Sequence, residues 1–213
     1  MSGDVPVVGG VSSEWIIGWK IANIALDFDM KTIQFSPAAI SCETYGVDAY
    51  AECRMVGDIH VAPEDSCKCG FNSWDDLGVA LEYMKMHQTL RVGYAYRYPP
   101  RSIFRLSLVM LRVGMCDDVI EGTLDAGSGW NQWGYRAARQ RVSDVFFDGR
   151  CAACSADAQH VCTTLHTTTP YGESLYPLAI FCDAHTVYGQ RILDLDVLSA
   201  QNDIGIYTTL PSP

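Results

Sequence analysis

The chain has 213 residues, of which 48% are hydrophobic and 11% aromatic, a composition that excludes wholesale disorder and supplies a sizeable core. Its net charge of −10 excludes nucleic-acid binding by the surface as a whole, because such a surface repels polyanions. No stretch approaches the roughly 20 uninterrupted apolar residues of a membrane span. Residues 1–4 lack the cationic start of a signal peptide, so we expect no membrane partner and a cytoplasmic location.

The first part of the chain predicts strands followed by one clear helix. Residues 14–35 carry two apolar runs around an acidic turn and predict a β-hairpin or two adjacent strands, and residues 49–55 predict a short strand. A helix is predicted from Ser73, as its N-cap, to about His87, because acidic residues fill its first turn and apolar residues recur along one face.

The middle of the chain predicts a second group of strands. Residues 102–113 form the strongest strand pattern, and residues 117–121 continue it as another strand. A glycine-rich loop follows at residues 127–134, and residues 142–147 predict a further strand or a short helix. Asp148-Gly149 is typical of a break between structural units.

The first of two metal-binding patterns is Cys-x6-His-x6-Cys-x-Cys. Closely spaced cysteines strain a disulfide but suit a metal ion, since two thiolates can occupy adjacent corners of a tetrahedron. Gly70 follows the last cysteine and lets backbone N–H groups approach the sulfurs. We expect a zinc ion bound by Cys53, His60, Cys67 and Cys69.

The second pattern combines Cys-x2-Cys with Cys-x2-His. Residues 178–181 predict a strand before the second pair, and residues 183–195 predict a helix after it. A cysteine knuckle, a connecting hairpin and a ligand pair at a helix start form a treble-clef-like arrangement. We expect a second zinc ion bound by Cys151, Cys154, Cys182 and His185. Three residues of the connecting stretch are alternative ligands: His160, Cys162 and His166.

Both ions are expected to be structural, because four protein ligands leave no coordination position for water. The odd number of nine cysteines and the absence of an export signal argue against a disulfide framework. The fold class is therefore α+β. We predict a β-rich body with one main helix at residues 1–147, containing the first zinc element, and a C-terminal treble-clef-like zinc element at residues 148–213.

An ordered set of short motifs resembles one group of known proteins. The motifs are Gly18-Trp19-Lys20, Cys53 followed by His60-Val61-Ala62-Pro63 and Cys67-Lys68-Cys69-Gly70, and Gly134-Tyr135-Arg136-Ala137. The chain resembles uncharacterised zinc-binding proteins of actinobacteria and their phages over patches of residues 15–146. The resemblance implies a small, zinc-bound intracellular protein of bacterial or phage origin, and it implies no activity.

Two aromatic segments are candidate partner-binding surfaces. In an extended strand, alternating tyrosines at 94, 96 and 98 would share one face. Interleaved arginine and tyrosine can stack on bases or bind an acidic protein, or the tyrosines can pack on the core. Tryptophans in the glycine-rich loop can anchor a partner or fold back over an apolar edge. The candidate residues are Tyr94, Tyr96, Arg97, Arg101, Trp130 and Trp133.

Three classes of function remain open on the sequence. The leading hypothesis is a non-enzymatic adaptor that acts through protein–protein contacts, since two closed metal sites accompany no recognisable catalytic motif. The first alternative is a nucleic-acid-binding zinc protein that uses the arginine-rich strip of residues 91–112. The second is a nuclease-like enzyme, for which His87, His160 and His166 are the histidines left over as bases.

Overall fold

The structure is a computed structural model. It describes residues 14–38, 44–53, 60–64, 67, 69–97, 108–125, 131–169 and 172–213. For residues 89–97, 125 and 131 it describes the backbone alone.

The described part of the chain is rich in β-structure and has few helices, as the sequence predicts. A short 3-10 helix spans Asp183–Tyr188. The remaining elements, in chain order, are β1 Ile16–Leu26, β2 Ile33–Pro37, β3 Asp48–Tyr50, β4 Phe71–Trp74, α1 Leu77–Arg97, β5 Leu108–Cys116, β6 Ile120–Asp125, β7 Asn131–Ala137, β8 Arg139–Phe146, β9 His160–Thr163, β10 Thr167–Thr168, β11 Ser174–Phe181, β12 Arg191–Ile192, α2 Leu195–Asn202 and β13 Gly205–Tyr207.

Strand β1 is the hub of the sheet. It pairs antiparallel with β2, β4, β5 and β11. From β5 the sheet continues through β8 to β3. An isolated antiparallel bridge joins Phe35 of β2 to Tyr45, just before β3. This bridge connects the last strand of the series back to the strands at its start. The strands β2, β1, β5, β8 and β3 therefore form a closed ring, and β4, β7 and β6 extend from it in that order.

Side-chain alternation along β1 separates two hydrophobic cores. Ala22 and Ile24 point into the main core inside the ring. Ile21, from the opposite face, joins a smaller core with Ala80 and Met84 of α1. Both faces of β5 are buried, apart from Arg112, since α1 covers its outer side. None of the helices in the described ranges is long and apolar enough to cross a membrane.

The main helix differs from its prediction at both ends. Ser73 is not an N-cap, because β4 includes this residue and pairs it with Tyr135. The helix begins at Leu77, and Oδ1 of Asp76 accepts a hydrogen bond of 2.9 Å from the backbone N–H of Val79. It also continues past His87 to Arg97, ten residues beyond the predicted end.

The predicted extended segment around Tyr94 and Tyr96 is therefore wrong for residues 91–97, which are helical. Three alternating tyrosines are too short a pattern to specify a strand here, because the preceding residues already form a helix and a helix extends more easily than it starts. In a helix, alternate residues do not share a face. The sequence does carry a reason for the helix to end nearby, because Pro99-Pro100 follows.

The remaining strand predictions are confirmed with shifted boundaries. The hairpin of β1 and β2, the short β3 and the strand alternative for residues 142–147 are all present. The strand predicted at 102–113 is described only from Leu108 onward. Asp117 and Asp118 are turn residues rather than strand residues, and their φ values of 56° and 49° fit a tight hairpin turn between β5 and β6.

The division of the chain at residue 147 stays a prediction. The sheet continues across that position, because β11 pairs with β1 and β13 pairs with β8.

Candidate metal centres

The first cluster lies in the segment that leads into β4. One ligand atom from each of its four residues lies within 4.8 Å of all the others. The Sγ atoms of Cys53 and Cys67 are 3.8 Å apart. Nε2 of His60 lies 3.1 Å from Sγ of Cys69. Two thiolates on one tetrahedral ion at about 2.3 Å would be about 3.8 Å apart, so this separation fits a single shared metal ion.

Gly70 lets the chain turn from the last ligand into β4. Its φ of +105° is a conformation that side-chain-bearing residues rarely adopt. A Cβ at this position would also lie 3.0 Å from Cβ of Pro63 and 3.2 Å from the carbonyl oxygen of Ala137. Glycine is therefore required here both by backbone conformation and by the close approach of β7.

Arg136 of β7 hydrogen-bonds to the metal loop, the segment from His60 to Cys69 that carries three of the ligands. Its Nη1 donates hydrogen bonds to the backbone oxygens of Glu64 at 3.1 Å and Cys69 at 3.4 Å, and also to that of Cys67. One guanidinium thus fixes three carbonyls of the loop that carries the ligands. β7 is positioned for this contact because it pairs with β4 along its length.

A carboxylate orients the imidazole of the first cluster. Nδ1 of His60 lies 3.0 Å from a carboxylate oxygen of Glu64. This contact places the proton on Nδ1 and leaves the lone pair of Nε2, which faces the sulfurs, free to bind a metal ion.

Cys67 and Cys69 of the first cluster oppose each other's ionisation. The backbone N–H of Cys69 lowers the pKa of the Cys67 thiol to about 7. Burial raises the pKa of the Cys69 thiol to about 11, and the neighbouring Cys67 sulfur contributes to that rise. A divalent ion would remove this mutual repulsion, because metal ligation deprotonates the thiols it binds.

The second cluster joins a loop after β8 to the end of β11. The Sγ atoms of Cys154 and Cys182 are 3.8 Å apart. Nδ1 of His185 lies 3.2 Å from Sγ of Cys182 and 3.6 Å from Sγ of Cys151. All four ligand atoms again lie within 4.8 Å of one another, so this cluster too could hold one metal ion.

Backbone N–H groups surround the sulfur of Cys151. Burial by itself raises the pKa of this thiol, but the N–H groups outweigh burial and bring the pKa down to about 6. The backbone donors belong to Cys182, Ala153 and Cys154. The pKa of Cys182 is raised, first by burial and then by the two neighbouring sulfurs, as expected for thiols that share one site.

The three alternative ligands are engaged elsewhere in the described structure. Sγ of Cys162 is buried and lies 3.7 Å from the carbonyl oxygen of His160. Nε2 of His160 contacts Oδ1 of Asp183 at 2.6 Å. The ring of His166 packs on Tyr176 with a centroid separation of 5.3 Å. The ligand atoms that come together are thus those of the two predicted sets.

The helix predicted at residues 183–195 is wrong. A six-residue 3-10 helix, Asp183–Tyr188, follows Cys182 instead. It ends because β12 pairs with β9, Arg191 opposite Thr163, which requires extended backbone. The α-helix forms only afterwards, where Oδ1 of Asp194 accepts hydrogen bonds from the first turn of α2.

The predicted partner-binding residues do not form one described surface. Trp133 of β7 is 49% exposed, and its Nε1 donates a hydrogen bond of 2.8 Å to Oε1 of Glu121 on β6. Tyr94, Tyr96 and Arg97 lie on α1, where the backbone alone is described. Arg101 and Trp130 lie outside the described residues.

Comparisons with protein-family models, with curated proteins and with solved structures gave no match for this chain.

Two residues at the first cluster were not identified as functional from the sequence. Glu64 could have been found, since it stands four residues after His60, a spacing that allows contact. Arg136 belongs to the Gly-Tyr-Arg-Ala motif, but its partners lie roughly 70 residues earlier in the chain, and no local pattern reports such a contact.

Replacing Gly70 by alanine should destabilise the fold more than the same change at Gly172. Both glycines have positive φ, +105° and +84°, so both variants should lose about 1 kcal/mol through backbone strain. Only Gly70 also has atoms in the path of a Cβ, whereas Gly172 has none within 4 Å. We expect Gly70→Ala to lose on the order of 1 kcal/mol more in urea unfolding. Equal losses would contradict the close packing at Gly70.

Removing the Arg136 guanidinium should weaken metal binding at the first cluster alone. We expect Arg136→Met to reduce the affinity of one of two sites by about 10-fold or more, measured by cobalt(II) titration, because the ligand loop loses its support. Arg141→Met is the matched control, since that guanidinium pairs with the exposed Asp203. Two unchanged sites in Arg136→Met would show that the loop does not depend on this residue.

Proposed function

We propose that the chain is a zinc-stabilised, non-enzymatic binding protein that acts through protein–protein contacts. The observation that carries this proposal is the composition of the two clusters, three cysteines and one histidine each, within bonding reach of a common ion. Thiolate-rich tetrahedral sites favour zinc over the hard oxygen-preferring cations. Four protein donors saturate the ion, so it supplies rigidity and no reactive water.

The C-terminal zinc element is proposed to be treble-clef-like in its order of parts. Its first ligand pair precedes β9, the hairpin of β9 and β11 follows, and the second pair begins where β11 ends. The short 3-10 helix occupies the place of the usual helix.

The proposed contact surface lies beside this second centre. The 3-10 helix that carries His185 also carries Val187 and Tyr188, which are 80% and 64% exposed. Leu165 and Ile192 are 62% and 54% exposed. Ile192 lies in β12, which pairs with β9, and β9 ends two residues before Leu165. Exposed apolar side chains grouped in this way are typical of binding surfaces.

A metal ion would fix this surface directly. The ring of Tyr188 stacks on the ring of His185, with centroids 5.6 Å apart and an interplanar angle of 14°. Any ion that holds His185 therefore also orients Tyr188. In keeping with the resemblance to actinobacterial and phage proteins, we propose a cytoplasmic protein of such a cell as the partner.

The described residues give no specific support to the two alternative functions, nucleic-acid binding and nuclease-like catalysis. Of the arginines in the strip of residues 91–112, only Arg112 has a described side chain, and it pairs with Asp144. Arg139 and Arg141 of the sheet also pair with carboxylates, those of Asp48 and Asp203. The remaining histidines have separate neighbours, and the described residues show no shared catalytic arrangement for them.

Metal analysis should return two zinc ions per chain. Cys69→Ser and Cys182→Ser should each retain about one ion, because each removes one ligand from a different centre. Elemental analysis of the purified proteins measures this, and Cys116→Ser is the control because Cys116 belongs to neither cluster. A metal-free wild type with an unchanged melting temperature after chelator treatment would refute the proposal.

Partner capture should depend on the surface beside the second centre. Zinc-loaded protein is used as bait in an actinobacterial lysate, and a partner retained by the wild type should be lost from Val187→Ser and Tyr188→Ser. Each substitution should weaken binding by about 10-fold or more, the scale of an interface hot spot. Phe28→Ser is the matched control, because Phe28 is 72% exposed on the turn between β1 and β2. Equal retention by all variants would place the contact elsewhere.

A further inference from the structure

Lys20 occupies an unusual position for a lysine. It lies in β1 on the same face as Ala22 and Ile24, which are fully buried in the main core. The residue is neither fully buried nor fully exposed. Its ammonium group is therefore directed to the inner side of the ring while some of the residue remains accessible.

Three residues from three different parts of the sheet converge on the Lys20 nitrogen. Nζ donates a hydrogen bond of 2.9 Å to Oε1 of Gln140 on β8. It lies 5.1 Å from the ring centroid of Tyr45 and 5.1 Å from that of Phe71. Across the described ranges, no carboxylate lies within ion-pairing distance of Nζ. A charged lysine is costly in such a place, because a buried charge normally has an ionic partner.

Within the described structure, two buried polar atoms without hydrogen bonds belong to residues near Lys20: Gln140, which contacts Nζ, and Ser73, which packs against β1 at Gly18. Gln140 is fully buried, and its Nε2 has no partner among the described residues. Ser73, next but one to Phe71 in β4, is 1% exposed, and its Oγ is also unpartnered. Both atoms can donate a hydrogen bond to an oxygen. Buried polar atoms of this kind call for an explanation, and a ligand that accepts hydrogen bonds is one.

Burial gives the Lys20 amine nucleophilic character. It lowers the pKa of Lys20 to about 7, so a large fraction of the side chain is neutral near pH 7. An exposed lysine with a pKa of about 10.4 is almost entirely protonated there. Desolvated lysines of this type form Schiff bases with carbonyl compounds.

We propose that Lys20 is a covalent capture site for a small uncharged aldehyde or ketone. Nζ attacks the carbonyl carbon to form a carbinolamine. The carbinolamine then loses one molecule of water, made of the former carbonyl oxygen and the two amine protons, and a carbon–nitrogen double bond remains. The rings of Tyr45 and Phe71, which contact each other at a centroid separation of 5.4 Å, offer the apolar part of the ligand a surface beside Nζ. Nε2 of Gln140 and Oγ of Ser73 are the donors for the carbonyl oxygen before it departs. None of these residues belongs to either set of metal ligands, and the site goes beyond the proposed binding function.

The test compares the four lysines of the chain in one experiment. Zinc-loaded full-length protein is incubated at pH 7 with acetaldehyde or benzaldehyde and with cyanoborohydride, which traps imines. Peptide mass spectrometry then measures the adduct at Lys20, Lys31, Lys68 and Lys85. We expect at least 10-fold more adduct at Lys20 than at the exposed Lys31, and we expect this preference to vanish when the protein is denatured before labelling. Equal or lower labelling of Lys20 in the folded protein would overturn the proposal.

Two variants check that the surroundings activate the amine. Gln140→Leu should reduce labelling of Lys20 relative to Lys31 several-fold, because the carbonyl oxygen loses a donor. Thr123→Leu, on β6 away from Lys20, should leave the ratio unchanged. Zinc content and melting temperature report folding in each variant. An unchanged ratio in a folded Gln140→Leu protein would remove Gln140 from the site, and a Lys20 that reacts no faster than Lys31 in wild type would remove the site itself.

Discussion

The pairing of β1 with four other strands is the constraint on which both metal centres depend. β4 begins directly after Gly70 of the first cluster, and β11 ends directly before Cys182 of the second. Both strands hydrogen-bond to β1, so each set of ligands is delivered from a strand anchored on the same eleven-residue hub. Each cluster is therefore attached directly to a strand of the sheet.

The motifs scattered along the sequence come together around this arrangement. Gly18 and Gly134 flank Ser73 of β4 from the two neighbouring strands, and a Cβ on either would come within 2.3 Å of a Ser73 atom. Arg136, two residues after Gly134 in β7, hydrogen-bonds to the metal loop. Glycines in β1 and β7 thus allow the sheet to close tightly beside the first cluster.

The metal ligands could be predicted from the sequence, whereas the pairing of distant strands could not. The eight candidate ligands could be predicted because cysteine spacing within each loop restricts what the sulfurs can bind. The closure of the ring through Phe35 and Tyr45 depends on register between distant strands, which no short pattern encodes. The extension of α1 through residues 91–97 was missed because its tyrosines alternate like a strand while the preceding turns favour helix growth.

The two histidines present opposite ring nitrogens to their clusters. His60 faces the sulfurs with Nε2 and has Glu64 behind Nδ1, whereas His185 faces them with Nδ1. A metal-loaded chain would therefore contain both imidazole tautomers, each fixed by its own ion. Nitrogen-15 chemical shifts would separate the two rings, so that the filling of either centre could be followed independently in a single sample.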